Sequence, residues 1–197
     1  MESAGGKIKL YYFDTFGRAE PIRILLHHAK VDFDDVRCGL DGFGDLKEKE
    51  GHKFEFGQVP VLEMPDGETY AQSISIYRLL GKWYGYYPED PVAAWQVDSI
   101  MEANGEIEEK YWEMWKVKTQ NPGVDVTEKV DEIKKEFIEK HMPEYLHAFQ
   151  KRLIKNGSPD FMVGHSVTLA EFDNTSVAFS YFLNEANEHY KEMVGVL

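Results

Sequence analysis

The order of secondary structure in the first 84 residues constrains the fold more than any other feature of the sequence. Residues 7–13 form a short β-branched and aromatic run before a turn, which predicts a strand. Residues 19–29 then carry apolar side chains at helical spacing, with Pro21 in the first turn, where its missing amide hydrogen is tolerated. Residues 33–37 alternate apolar and polar side chains, as a half-buried strand does. Together these segments predict a βαβ unit.

A hairpin and a further helix are predicted next. Residues 61–64 and 69–71 flank a Pro-Asp-Gly turn at 65–67. A run with helical apolar periodicity then extends to Trp83, with Ser73 at its N-terminus as the predicted cap. The sequence therefore predicts an α/β domain in which βαβ is followed by ββα.

The second part of the chain has a different character. Residues 85–91 (GYYPEDP) interrupt the pattern, and nearly everything after them shows helical periodicity. Asp90 and Pro91 are typical of the N-cap and first position of a helix. We therefore predict an α/β domain at 1–84, a linker at 85–91 and an all-helical domain at 92–197.

A capping box predicts where one helix of the second domain begins. Thr168 takes the N-cap position and Glu171 follows it three residues later, before further apolar positions. Such a pair satisfies backbone amides at a helix start, so we assign these residues to folding and not to chemistry.

Charge and cysteine content exclude several classes of function. The net charge is -13, and an acidic surface repels nucleic acid backbones and anionic membranes. The single cysteine, Cys38, cannot form an intrachain disulfide, and no basic and apolar leader opens the chain, so we expect a cytosolic setting. The seven histidines are scattered, so no metal site is expected. No apolar run has the length of a membrane span.

Four segments of the chain match a known pattern: LYYFDTFGRAEPIRILL (10–26), FGQVPVLEMPDG (56–67), YAQSISIYRLLGKWY (70–84) and GHSVTLAEFD (164–173). The first three resemble the glutathione-site segments of cytosolic glutathione transferases, and the match continues through the fourth. The GRAE motif and the tyrosine before it are most similar to the sigma class, which includes glutathione-dependent prostaglandin D synthases and lens crystallins, with the alpha class as the nearest alternative. This resemblance implies a thioredoxin-like N-terminal domain (βαβ-ββα) with an all-α C-terminal domain, glutathione as substrate, no metal, and a homodimer.

The resemblance assigns catalysis to Tyr12 with support from Arg18. A thiol with a pKa of about 8.5 is only a few per cent thiolate near neutral pH, so a hydrogen-bond donor aimed at sulfur favours the reactive form. Tyr12 ends the first strand, whereas Tyr11 should face the opposite side of the sheet because strand side chains alternate. Neither cysteine nor serine occupies the first βα turn, which disfavours thiol–disulfide exchange. Cys38 is interpreted as structural or incidental.

Two further motifs are assigned to glutathione by the resemblance. Val59 and Pro60 are similar to the family's valine and cis-proline, which leave the backbone of residue 59 free to pair with the cysteinyl part of glutathione. Gln72 and Ser73 lie at a helix start, where free amides and the helix dipole attract the γ-glutamyl carboxylate.

The remaining glutathione contacts rest on a less regular match. Lys47 and Gln58 are assigned to the glycyl carboxylate, but sigma members commonly carry lysine at the position of Gln58 and tryptophan at that of Phe43. The segment KEKEGHKFEF is also longer than the sigma pattern, which leaves the register of residues 41–56 open. Glu102 corresponds to the family acid that reaches the glutathione amino group of the partner subunit, and a solvated helical glutamate is the alternative interpretation.

The resemblance places an electrophile pocket between the two domains. Its residues would include Phe13, Asn104, Tyr111 and Trp112. Phe56 is a candidate to pack across the dimer, with an ordinary core position as the alternative.

The sequence supports three functions. Conjugation of glutathione to small apolar electrophiles comes first, and isomerisation of a prostaglandin endoperoxide at the same site is the alternative within enzymes. A non-catalytic structural or assembly subunit is the third. Intact Tyr12, Gln72 and Ser73 argue for an enzyme, whereas Phe43 and Gln58 depart from the sigma pattern and argue for the structural role.

The C-terminus adds one expectation. The chain stops at Leu197, before the usual end of the family, so we expect the closing helices to be absent and the electrophile site or a docking surface to be left open. The alternative is that the sequence stops short of the natural end. The exposed apolar surface would comprise Val177, Phe179, Tyr181, Phe182 and the tail at 193–197.

Overall fold

The computed structural model describes residues 6–183, and the chain divides into two compact units between Pro88 and Glu89. This boundary falls inside the segment that the sequence suggests as a linker. Each unit has its own hydrophobic interior.

The first unit contains one four-stranded mixed sheet, in the order β2-β1-β3-β4. Strand β1 pairs parallel with β2 and antiparallel with β3, and β3 pairs antiparallel with β4. The predicted thioredoxin-like fold is therefore confirmed. The elements are β1 (Ile8–Phe13), α1 (Glu20–His28), β2 (Phe33–Cys38), α2 (Phe43–Glu50), β3 (Val61–Glu63), β4 (Thr69–Ala71) and α3 (Ser73–Tyr84).

Apolar side chains cover both faces of this sheet. Helices α1 and α3 contact each other and bury Ile22, Leu25 and Leu80 completely. On the opposite side, Tyr11 packs with Phe54 and Val61, with partly buried residues of α2 against them. Strand alternation places consecutive β1 residues on opposite faces, so the sheet separates Tyr11 from Tyr12.

Helix α2 is the element that sequence patterning did not predict. Its eight residues, FGDLKEKE, include five charged side chains, and none is fully buried. Only Phe43 and Leu46 pack against the cluster around Tyr11. A helix held by two apolar contacts carries too little periodicity to be recognised from the sequence.

The second unit is helical. It contains α4 (Pro91–Gln120), α5 (Thr127–Glu136), α6 (Met142–Asn156) and α7 (Leu169–Val177), and single π-helical turns follow α5 (Phe137–His141) and α7 (Ala178–Phe182). The predicted start of α4 is confirmed, since the Asp90 carboxylate accepts hydrogen bonds from the amides of Val92 and Ala93 at 3.1 and 2.8 Å.

The predicted capping box at the start of α7 is also confirmed. The Glu171 carboxylate accepts a hydrogen bond from the Thr168 amide at 2.7 Å, and the Thr168 hydroxyl accepts one from the Ala170 amide at 3.2 Å. Glu171 also accepts a hydrogen bond from the Met162 amide at 2.7 Å. The same carboxylate therefore fixes both the helix start and the loop before it.

The expectation of an exposed apolar surface after α7 was wrong for three of its residues. Val177, Tyr181 and Phe182 are 1–4% exposed and pack against Ile107 of α4 and Phe137. The π-helical turn continues the buried face of α7. The side chains of Ile107 and Phe137 pack against this face and cover it. Only Phe179, at 57% exposure, lies outside, and residues 193–197 lie outside the described part of the chain.

Within residues 6–183, no helix is both long enough and apolar enough to cross a membrane. In the same range, no group of histidine, cysteine and acidic side chains is arranged to hold a metal ion.

Candidate active site

Tyr12 lies at the end of β1, beneath the loop that leads to α1. Its side chain is 7% exposed, and its hydroxyl accepts a hydrogen bond from the backbone amide of Arg18 at 3.0 Å. In this bond the phenol oxygen is the acceptor, and a hydroxyl that accepts can also act as a donor. The sequence therefore folds a buried hydroxyl into the position that the resemblance assigns to catalysis.

Gly17 makes the close approach of this loop possible. Its φ is +47°, and a Cβ atom at this position would lie 2.7 Å from the Tyr12 hydroxyl oxygen. A side chain there would meet both backbone strain and a steric clash. Glycine at this position lets the Arg18 amide reach the phenol.

Tyr11 has a different set of partners. Its hydroxyl donates to Glu63 at 2.7 Å and accepts from the Lys53 ammonium at 3.0 Å, and its ring contacts Phe54 edge-on at 5.9 Å. Burial, together with the hydrogen bond to Glu63, raises the pKa of Tyr11. This hydroxyl is occupied by a network between the strands and is not part of the candidate active site.

A single cleft in the first unit gathers most of the residues that the sequence assigns to glutathione. Its wall includes the peptide bond between Val59 and Pro60, which is cis as predicted. Pro60 is buried and Val59 is half-buried, just before β3 begins. The lining residues are Arg18, Phe56, Gln58, Val59, Pro60, Ala71, Gln72 and Ser73.

The start of α3 forms one end of the cleft. Gln72, and not Ser73 as predicted, is the N-cap residue, and Ser73 is the first helical residue. The Gln72 side chain makes no capping hydrogen bond, so the first-turn amides do not have the acceptor that an N-cap side chain usually provides. Gln72 also has a φ of +70°, a conformation that costs a non-glycine residue about 1–3 kcal/mol. An uncapped helix start with a strained residue is suited to binding an anion.

Two arginines lie near Tyr12, and they contact it in different ways. The side chain of Arg18 is exposed, and it is the backbone amide of this residue that contacts Tyr12. Sequence reasoning missed Arg23, which is 3% exposed and has its guanidinium carbon 5.7 Å from the centre of the Tyr12 ring. The available signal was its place on α1, four residues after Ala19 and beside Ile22, within the face that becomes buried.

Lys47 and Gln58 are not brought together. Gln58 lines the cleft, whereas Lys47 is exposed on α2 with its ammonium 4.8 Å from the ring centre of Phe43. Phe43 and Lys47 share one face of α2 because they are four residues apart. Cys38 is half-buried, its thiol donates to the Tyr12 carbonyl at 3.6 Å, and burial raises its pKa. These contacts support the structural interpretation of the cysteine.

Asn104 lies in the interior of the helical unit. It is 2% exposed, donates to Asp173 at 2.6 Å and to Asn174 at 3.0 Å, and accepts from the Tyr145 hydroxyl at 2.7 Å. Burial raises the pKa of Asp173 to about 7, against the opposing effect of the Asn104 hydrogen bond. This polar network joins α4, α6 and α7, so its first role is structural.

The other residues predicted for the electrophile pocket are half-buried. The Trp112 indole donates to the Tyr181 hydroxyl at 3.2 Å, and the Tyr111 ring lies 4.8 Å from that of Tyr181. In the first unit, Phe13 contacts Phe43 edge-on at 5.5 Å. The pocket itself stays a prediction. Glu102 is exposed on α4, and its contact with a partner subunit stays a prediction too.

Comparison with known proteins identifies both halves of the chain. Residues 8–81 match the family model of the glutathione S-transferase N-terminal domain, and residues 115–192 match that of the C-terminal domain. Glutathione S-transferase 1 of Ascaris suum is 36% identical over 163 residues, which cover 83% of this chain and 74% of that protein.

Solved structures agree with this relationship. The glutathione S-transferase of Ascaris lumbricoides has a TM-score of 0.67 at 30% identity and covers 97% of this chain and 91% of its own. A sigma-class glutathione S-transferase of Fasciola hepatica has a TM-score of 0.72 at 25% identity, covering 96% and 88%.

Proposed function

This chain belongs to the glutathione S-transferase family, with a sigma-like character, and from that premise we propose that it conjugates the thiolate of glutathione to small apolar electrophiles. The observation that carries the proposal is the Tyr12 hydroxyl, which lies near the end of β1 and accepts a hydrogen bond from the Arg18 amide at 3.0 Å. Arg18 also lines the cleft that contains the cis-proline and the start of α3.

In the proposed mechanism, Tyr12 donates a hydrogen bond to the sulfur of bound glutathione. The bond favours the thiolate over the thiol, and the thiol proton is released to solvent. The sulfur lone pair then forms a bond to an electrophilic carbon, and an aryl halide loses its halide as this bond forms. The contribution of Arg18 comes from its backbone amide, which orients the phenol.

The cleft accounts for the recognition of glutathione. The uncapped start of α3 at Gln72 and Ser73 would bind the γ-glutamyl carboxylate, and the backbone of Val59 would pair with the cysteinyl part of the ligand. We assign Gln58, which lines the cleft, to the glycyl carboxylate, and Lys47 of α2 to the same group. Glu102 of the partner subunit is proposed for the amino group, which requires a homodimer.

The test begins with a glutathione-affinity column, followed by turnover of a chromogenic aryl halide by the eluted protein. We expect retention on the column and a rate above that of the uncatalysed reaction. Gln72→Ala should weaken retention, whereas Lys30→Ala, which changes an exposed residue after α1, should not. Retention without turnover would favour the non-catalytic subunit.

The choice of substrate distinguishes the isomerase alternative from conjugation. A prostaglandin endoperoxide converted much faster than any aryl halide would replace conjugation by isomerisation as the main activity. Both reactions use the same glutathione thiolate, so Tyr12→Phe should slow either one.

A further inference from the structure

We propose that Arg23 is a positioning residue for the Tyr12 hydroxyl, acting through the loop that carries the Arg18 amide. The proposal rests on the proposed role of Tyr12. Arg23 touches neither the cleft nor a substrate, and its influence is transmitted through backbone carbonyls.

Arg23 forms hydrogen bonds to the backbone of the β1–α1 loop from the interior of the first unit. One terminal nitrogen of its guanidinium, Nη1, donates to the carbonyl of Thr15 at 2.9 Å and to that of Phe16 at 3.2 Å. These carbonyls directly precede Gly17 and Arg18. The two bonds therefore fix the backbone from which the Arg18 amide reaches Tyr12.

The guanidinium is itself held in place by carboxylates. Its Nε lies 3.1 and 3.2 Å from the two oxygens of Asp35 on β2, and Nη1 also donates to Glu20 at 3.0 Å. The side chain of Arg23 is 4% exposed, so these are charge-assisted bonds shielded from water. Because Arg23 binds both Asp35 of β2 and the loop carbonyls, it connects the β1–α1 loop to the sheet.

The charge of Arg23 also lies next to the phenol. Its guanidinium carbon is 5.7 Å from the Tyr12 ring centre, within the range of a cation–π contact. Its second terminal nitrogen, Nη2, is buried without a hydrogen-bond partner among the described residues. A buried donor left unpaired costs stability, so packing alone does not account for an arginine here. The cation is attracted to the π electrons of the ring. This attraction helps to hold the Tyr12 ring next to the loop.

Amide hydrogen exchange tests the positioning without any assumption about catalysis. Arg23→Lys keeps the charge but replaces the planar guanidinium, so one ammonium cannot bind Asp35 and both carbonyls at once. We expect exchange of the Arg18 amide to become at least about tenfold faster, while that of Leu10 in β1 stays unchanged. Unchanged exchange at Arg18 would overturn the proposal, whether or not the protein is catalytic.

Kinetics then test whether the effect passes through Tyr12. Arg23→Lys should lower kcat by about 10- to 100-fold, with the KM for glutathione changed by less than about threefold. In a Tyr12→Phe background, Arg23→Lys should lower kcat only slightly, because the effect of Arg23 passes through the Tyr12 hydroxyl. An equal loss in both backgrounds would overturn the proposal. Absence of turnover in the unmodified protein would count against the proposed function and leave the exchange result standing.

Two further variants control these measurements. Arg37→Gln removes an exposed arginine that binds the same Asp35 carboxylate at 2.7 Å, and it should leave both exchange and kcat near those of the unmodified protein. Asp35→Asn keeps the Arg23 guanidinium but weakens its bond to residue 35. This variant replaces Arg23→Lys in both measurements if Arg23→Lys does not fold. It should move exchange and kcat in the same direction by a smaller factor, and no movement in either would overturn the proposal.

Discussion

Tyr11 and Tyr12 are neighbouring residues of one strand with opposite environments. The Tyr12 hydroxyl accepts one backbone amide, whereas the Tyr11 hydroxyl is shared between Glu63 and Lys53. Since an oriented hydroxyl that stabilises an anion contributes about 10²- to 10³-fold in rate, Tyr12→Phe should lower kcat by that factor. The measurement is the pH dependence of turnover and of thiolate absorbance. An unchanged thiol pKa in the variant would remove Tyr12 from the mechanism.

Tyr11→Phe is the matched control. It deletes a hydroxyl from the same strand, leaving Glu63 and Lys53 with one hydrogen bond fewer each. We expect a loss of about 1–3 kcal/mol in the free energy of unfolding, measured in urea, with kcat nearly unchanged. A loss of turnover equal to that of Tyr12→Phe would mean that the strand and not the hydroxyl matters.

Gly17 gives a second prediction at the same scale. Gly17→Ala should displace the Tyr12 phenol from the Arg18 amide, because the new methyl group would lie 2.7 Å from the phenol oxygen. We expect kcat to fall by at least about tenfold. Gly67→Ala, at a turn with φ of +93° and open space around it, introduces backbone strain without the clash. Equal kcat losses in the two variants would assign the effect to general strain.

Asp173 predicts a pH dependence of stability. Its pKa is about 7 in the folded chain, against an ordinary value of 3.8, because burial disfavours the charged carboxylate. Between these values the folded state holds a proton that the unfolded state has lost, so this group makes stability fall as pH rises from about 4 to 7. Asp173→Asn should remove that fall, so its stability relative to the unmodified protein should increase across this range by up to about 1.4 kcal/mol per pH unit.

The measurement is urea unfolding of both proteins at several pH values. Glu139→Gln, which removes an exposed acid from the π-helical turn after α5, controls for the change in net charge. A constant difference between Asp173→Asn and the unmodified protein from pH 4 to 8 would contradict the assigned titration.

Helix α7 shows how one element depends on its first turn. Glu171 accepts hydrogen bonds from the amides of Thr168 and Met162 and from the Thr168 hydroxyl, all at 2.7 Å, so Glu171→Ala leaves three donors without this acceptor. We expect a loss of about 2 kcal/mol in the free energy of unfolding, and about 1 kcal/mol for Thr168→Ala, which removes one cap bond. Glu113→Ala on the exposed face of α4 should change stability by less than about 0.5 kcal/mol. Equal losses at Glu171 and Glu113 would rule out the cap as the cause.

The prediction for the whole molecule is a homodimer with a two-fold axis. Phe56 lines the cleft and is 56% exposed, so its ring is available to pack against a partner subunit. Light scattering at micromolar concentration should give twice the mass of one chain, and Phe56→Ala should shift the protein towards the monomer. Trp95→Ala, at 62% exposure on α4, is the control for loss of an exposed aromatic residue. A monomer in the unmodified protein would contradict this prediction and the role of Glu102.

Local patterns in the sequence determined the order of strands and helices in the first unit, apart from α2, and the starts of α4 and α7. They also separated Tyr11 from Tyr12, because alternation along a strand is a property of the backbone. The caps at Asp90 and Thr168 were predictable because each acceptor and its donors lie within a few residues. The resemblance predicted the position of the cis-proline correctly and the start of α3 to within one residue.

Only the tertiary structure decided which polar side chains are buried and what they bind. Asn104 meets Asp173 from 69 residues away, and Arg23 of α1 meets Asp35 of β2, so neither pairing has a local signature. Helix α2 exists because Phe43 and Leu46 pack against the Tyr11 cluster, which its charged sequence does not reveal. The partner of Tyr12 is likewise a backbone amide, whose place depends on how the chain turns after the strand and not on the side chain of Arg18.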